Sequence, residues 1–511
     1  MSFKPSKLLT TATVLVAVAG LFAAASAQRS IRMPGGWPNE VVLGLADDAK
    51  NEASLLLPAA KGVRGYYHYT YVNTAYESID ARLADIKQFV KDGQRLGLSN
   101  GFILQFFKAE TNVDKLIAAM NDPKLMQDYF KAIKKMGEVL WDANAMNTVV
   151  VVEPGVWATL LQARFHFANR ASERGKSYSE ILQFPALVRN ADLKLGPEFD
   201  YLDMYSNTVS DWARAVMVTI RRFMPSPLIA LHANSWSVYA RGCSAGSAVE
   251  DINEQIFKGG FDFQGEGNLV NWSESDVRLS AMANVRFFRE IFGWDYQQGA
   301  PRFASSYWPD MIAVDKYSYD AGYVKAGYPG APNGKTMPGS GKDLFFWNQT
   351  QMDQWLDWSR TISQGLQLPL LALRIPAGNG SLPDKRYQYK DTFADWLFSS
   401  ANWKGKYKWS ADNWDRFKAA GFIGLWVGRD GWPAYGTHYG PMEYDVFSKA
   451  PDTSNGDGGW LISSFAAKDR SQTNIKVEFD EGQFSRYNGF CQLKEEVEAP
   501  EEANPTAGMK L

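Results

Sequence analysis

The stretch Asn147–Trp157, NTVVVVEPGVW, limits the possible folds of this 511-residue chain more than any other. Four consecutive valines with no polar residue between them describe a strand covered on both faces, the pattern of a parallel sheet wrapped by helices. Pro154 has no N–H to give to a ladder and disfavours helical geometry for the residue before it, so the strand must stop at Glu153. A carboxylate is thereby placed at a strand exit. Two plainer roles compete for Glu153: capping the helix that follows, or pairing with a neighbouring cation.

The rest of the chain repeats the alternation of strand and helix. Val41–Leu45 is a short strand candidate. Gly65–Asn73 reads as the first full strand, followed by an amphipathic helix over Ser78–Leu96. Gly101–Phe107 is second, and the Glu153 strand counts as third. Leu228–Asn234 is fourth, Phe261–Glu266 a weaker fifth, Met311–Tyr317 sixth, Leu368–Ile375 seventh and Phe422–Val427 eighth. Helical spacing recurs between them, at about Met204–Phe223, Ala248–Phe257, Ser275–Phe292, Thr350–Leu366 and Thr392–Ser399. Eight apolar strands separated by helices predict an α/β fold, a (β/α)8 TIM barrel with long βα-loop insertions. The alternative is an open doubly wound sheet. No Gly-rich dinucleotide or phosphate loop follows any strand, which removes the usual reason for that architecture.

The ends of the chain are read separately. Lys4 and Lys7 precede an apolar run from Leu8 to about Ala25, and Ala25-Ser26-Ala27 is a small-residue cleavage site, so residues 1–27 are expected to be a signal peptide cleaved after about Ala27. Residues 28–490 then form a single barrel domain, and 491–511 an acidic tail rich in Pro and Ala that is expected to be disordered. The expected destination is the periplasm or the medium, with no membrane span. Loss of the two leader lysines takes the formal charge from −2 to −4, which argues against a nucleic-acid partner. Cys243 and Cys491 are the only cysteines and lack metal-site spacing. With four histidines, none in an H-x-x-x-H pair, and no Asp-rich calcium loop, no cofactor or metal is expected.

Polar side chains gather where the strands end: Tyr69, Asn73, Gln105, Glu153, His232, Asn234, Glu266, Asp315, Tyr317, Arg374 and Trp426. In a barrel all these ends face one side, where chemistry is done. Hydrolysis of a glycosidic bond needs two carboxyl groups, one protonated to serve the leaving oxygen and one ionised to attack or to activate water. The aromatic content, 14% of the chain, suits sugar faces as well as a core. Glu153 is the expected proton donor, with Asp315 or Glu266 as its partner; the third and sixth strands would lie nearly across the barrel. An ion pair with Lys316 or Arg374 is the plainer role for Asp315. His232 is expected to bond a sugar hydroxyl or Glu153. Trp236 and Trp426 are stacking candidates, and Arg374 and Asn379 hydroxyl ligands.

The set VVVVEPGVW, LIALHANSW, MIAVDKY, LPLLALRIPAGN and AAGFIGLWVG, over about Gly65–Asp430, resembles secreted bacterial glycoside-hydrolase-like barrels. The resemblance implies a carbohydrate-active TIM barrel. In the best-known retaining members Asn-Glu-Pro closes the fourth strand and Glu the seventh. This chain has Val152 in place of the Asn, and Arg374-Ile375-Pro376 where the seventh strand ends. A motif of another class also occurs: Gly242-Cys243-Ser244-Ala245-Gly246 fits the G-x-S-x-G nucleophile elbow. The strand before it is short and broken, and His438 is the only later histidine, so a serine esterase using Ser244 is the minor alternative. The reading is an exported, endo-acting glycoside hydrolase with a carbohydrate polymer as partner; the rival is a barrel that binds carbohydrate without cleaving it.

Overall fold

The computed structural model describes residues 29–31, 33–46, 67–73, 78–107, 113–163, 176–234, 274–295, 300–301, 307–315, 349–375, 393–398, 409–427, 464–472 and 476–477. Eight strands close into a ring: β1 Val42–Ala46, β2 Tyr67–Asn73, β3 Ser99–Gln105, β4 Val149–Val152, β5 Leu228–Ala233, β6 Met311–Asp315, β7 Leu370–Ile375 and β8 Phe422–Val427. Every neighbouring pair is parallel, and β8 returns to β1 through Trp426↔Gly44.

The ring corrects the strand count expected from sequence. Val42–Ala46 is a full member of the barrel, and β5 pairs directly with β6 through Ala230↔Met311 and Ala233↔Val314. The barrel therefore closes without Phe261–Glu266, which lies outside the described residues. The FDFQGE segment, with two acids and a glycine, is a poor candidate for a strand buried on both faces, whereas VVLGLA is almost wholly apolar. Glu153 thus leaves the fourth strand. The fourth and sixth strands are separated by β5 alone instead of lying across the barrel.

The valine run explains itself once the layers are seen. Val149 and Val151 face into the barrel with Leu228, Ala230, Met311 and Ala313, while Val150 and Val152 pack outward against the helices. Pro154 opens the following helix, Pro154–Gln162, at a position where its missing N–H costs nothing. The helix expected over Met204–Phe223 is divided. A 3-10 segment, Pro197–Met204, ends first, and helix Val209–Phe223 starts afresh where the Thr208 side chain accepts the Asp211 N–H.

Aromatic rings fill the barrel's interior. Trp37 stacks on Tyr67 with centroids 5.3 Å apart and gives its indole N–H to the Ile423 carbonyl at 3.2 Å. Above it, Trp426 stacks on Tyr69 at 4.9 Å. The Trp426 ring needs glycine on two strands, because a Cβ on Gly44 or Gly101 would sit 2.2 Å from it. The base is crossed by residues 464–472: the Val41 N–H reaches the Arg470 carbonyl at 2.8 Å, and Arg470 pairs with Glu40 at 3.1 Å. These contacts close the base, opposite the end at which the strands exit.

Candidate active site at the barrel mouth

Alternation along the strands brings His232 of β5 and Asp315 of β6 onto the inward face, two residues beyond Ala230 and Ala313. Both are buried. The Arg374 Nη2 donates to Asp315 Oδ2 at 2.5 Å, and His232 Nε2 lies 3.1 Å from the same oxygen. The Trp355 indole N–H fixes the Asp315 main-chain carbonyl at 3.1 Å.

Arg374 reaches this position through an irregularity. Leu371 and Leu373 of β7 face inward, so regular alternation would turn Arg374 outward. The pairing of β7 with β8 slips between Ala372 and Ile375, and Arg374 adopts φ 56°, in the left-handed region. A bulge re-aims the side chain at a strain of about 1–3 kcal/mol. The resulting ion pair is almost shielded from water. Arg374 and Asp315 thus form the ion pair that was the plainer role weighed for Asp315.

Glu153 sits in a different environment. It has φ 45° and ψ 62°, so the inward alternation of Val149 and Val151 ends at this residue. Its N–H still bonds the Leu104 carbonyl at 3.0 Å, but the next rung is made by the side chain, with the Phe106 N–H donating to Oε1 at 2.8 Å. It stands at the N-cap position of its helix without capping it. Aromatic rings surround the site: Tyr129 lies 4.7 Å from Phe106 and 5.4 Å from Phe107. Burial pushes the Glu153 carboxyl up to about 8, and the N–H groups of Phe106 and Phe107 oppose that rise only in part. The Tyr129 hydroxyl is held well above its ordinary value by burial and, secondarily, by the negative charge of Glu153. It has no hydrogen-bond partner among the described residues.

The remaining expectations divide. His232 contacts Asp315, not Glu153. Asn234 is buried and gives its Nδ2–H to the Pro154 carbonyl at 3.1 Å, tying the exits of β5 and β4 together. Tyr69 and Trp426 are enclosed in the barrel interior, below the rim, so Trp426 is a core residue there and not an open stacking platform. Gln105 is half-buried, in register with Asn73 at the ends of β3 and β2. Glu266, Trp236, Tyr317, Asn379, Ser244, Cys243 and Cys491 lie outside the described residues. Sequence reasoning missed the Phe106 and Phe107 amides and Tyr129. Backbone donors carry no sequence signal, and Tyr129 reads only as one more apolar position of helix Pro123–Asp142. Among the described residues no group of three or more His, Cys, Asp or Glu could hold a metal, and no helix is long and apolar enough to cross a membrane.

A closed ring of eight parallel strands, linked by helices and carrying polar residues at its C-terminal mouth, is a (β/α)8 TIM barrel. No family model matches the chain, and no curated protein matches it. Solved structures similar to it include glycoside hydrolases. A GH26 β-mannanase from Bacteroides ovatus is 9% identical, with a TM-score of 0.36 over 87% of this chain and 94% of that one. Fungal β-1,4-galactanase is 11% identical, with a TM-score of 0.33 over 75% and 82%. A β-glucosidase from Thermotoga maritima is 10% identical, with a TM-score of 0.34 over 74% and 76%. The barrel assignment itself rests on the strand order.

Proposed function

We propose that this protein is an exported glycoside hydrolase acting on a carbohydrate polymer at the barrel mouth. Glu153 is the proton donor, and Asp315 supplies the ionised carboxylate on the side where water is activated. The observation that carries this reading is the contrast between the two groups: Glu153 has its carboxyl in an apolar wall, pushed up to about 8, whereas Asp315 is paired with Arg374 at 2.5 Å. Glycosidic cleavage at neutral pH needs one carboxyl that keeps its proton and one that has lost it, and differing environments are how a single fold provides both. The β4 and β6 backbones stand two strand spacings apart, about 10 Å.

The test is reducing-sugar release from β-glucan, xylan, mannan and α-glucan by wild type and Glu153→Gln. The expected outcome is release from one polymer that falls at least about 100-fold in the variant while binding persists. A second reading, a carbohydrate-binding barrel without catalysis, is favoured by one observation: Glu153 Oε1 is already engaged by the Phe106 N–H. It predicts binding with no sugar released by either protein.

A further inference from the structure

We propose that His232 is the base of this site, that Asp315 and Arg374 are its positioning residues, and that the proton taken from water goes to His232 Nδ1; this rests on the hydrolase reading of the same mouth. A side-chain base in a hydrolytic site needs one nitrogen fixed by an acceptor and the other left for the substrate. His232 is placed for that arrangement, although neither ring nitrogen makes an aligned hydrogen bond among the described residues. Its Nε2 lies 3.1 Å from Asp315 Oδ2, and Asp315 is itself held by Arg374 at 2.5 Å. An ionised carboxylate only accepts hydrogen bonds, so the nitrogen facing it carries the hydrogen and Nδ1 keeps its lone pair. His232 is completely buried, and its Nδ1 has no hydrogen-bond partner among the described residues.

A buried, unsatisfied nitrogen is costly to keep, and nearly all such groups find a partner. The partner that a sugar site supplies is a hydroxyl or a water. The Nε2 contact is within reach of Asp315 but not aligned as a hydrogen bond, a geometry that commonly tightens when substrate binds. The bulge that turns Arg374 inward then acquires a purpose: it holds Asp315 as an anion beside the ring. In the step itself the water oxygen bonds to the anomeric carbon while the glycosidic C–O bond breaks, its electrons leaving with the departing oxygen. The water proton passes to His232 Nδ1, and Glu153 gives its proton to the departing oxygen. Imidazolium and carboxylate then exchange protons with solvent, which restores the starting state.

The experiment is long-range 1H–15N NMR of the full chain with labelled histidine, at neutral pH. Four histidines make assignment tractable: variants of His68, His166 and His438 assign their own signals and leave that of His232, whether or not a His232 variant folds. The expected result is an Nε2–H tautomer with bare Nδ1 for His232, shifting toward Nδ1–H in Asp315→Asn. On whichever polymer the wild type cleaves, His232→Gln should lower kcat at least about 100-fold with KM little changed. An Nδ1–H tautomer or an imidazolium in the wild type overturns the proposal even if a polymer is cleaved and Glu153 is essential. A kcat unmoved by His232→Gln overturns the base role too, leaving only packing. If no polymer is cleaved, the hydrolase reading fails and the base role falls with it.

Discussion

The exits of β4 and β6 end in the same functional group, yet the chain treats the two in opposite ways. At β6 the carboxylate of Asp315 follows the regular inward alternation, and a bulge on β7 brings a guanidinium to meet it. At β4 the backbone of Glu153 departs from alternation, and its carboxyl enters an aromatic wall where main-chain N–H groups are its donors. A formal cation beside one and only dipoles beside the other favours the anion at Asp315 and the neutral acid at Glu153. The lesson is that environment, rather than residue type, decides which of two carboxyl groups holds its proton.

The comparison breaks most severely at its paired end. Arg374→Met strands a buried anion, so stability should fall by about 3–5 kcal/mol, read from chemical denaturation. A loss under 1 kcal/mol would mean that Asp315 is neutral or otherwise compensated.

The apolar end is tested by pH. Glu153 titrates at 4.5 when unperturbed and at about 8 in the fold, so between those values the folded state holds the extra proton. Its contribution is therefore greatest below about 4.5, is lost as pH rises toward 8, and changes no further above that. Glu153→Gln should lack this slope, gaining a few kcal/mol relative to wild type between pH 4.5 and 8. Urea midpoints of both proteins across that range measure the difference; parallel profiles would place Glu153 in an ordinary environment.

Smaller effects sharpen the picture of what lies beneath and behind the two groups. Gly101→Ala pushes a methyl to 2.2 Å from the Trp426 ring and to 3.0 Å from the Tyr69 Cβ, and should cost about 1–3 kcal/mol in thermal unfolding. Tyr129→Phe removes a buried hydroxyl without a partner, so stability should be unchanged or higher by about 1 kcal/mol. A clear loss would reveal a partner for that hydroxyl, Glu153 being the obvious one.

Much of this was legible in the sequence, for identifiable reasons. Uninterrupted apolar runs such as VVVV and LIAL must be buried on both faces, which indicated parallel strands and a barrel, and Pro154 fixed where Glu153 would fall. The count slipped because VVLGLA is short and FDFQGE ends in an attractive acid; periodicity cannot rank two weak strands. Asp315 and His232 were readable because they keep the period of 2. Arg374 was readable as an ion-pair candidate but not as a bulge, since a left-handed arginine carries no composition signal. The Phe106 amide was invisible, because backbone donors are the same in every residue.

The most direct measurement is the titration of the Glu153 carboxyl by 13C NMR of protein labelled at glutamate Cδ, with Glu153→Gln identifying the signal by its absence. The account predicts one glutamate signal that titrates near pH 8 and is missing from the variant. If every glutamate signal has finished titrating by about pH 6, Glu153 is no neutral acid in an apolar wall, and the division of roles between the two strand exits fails.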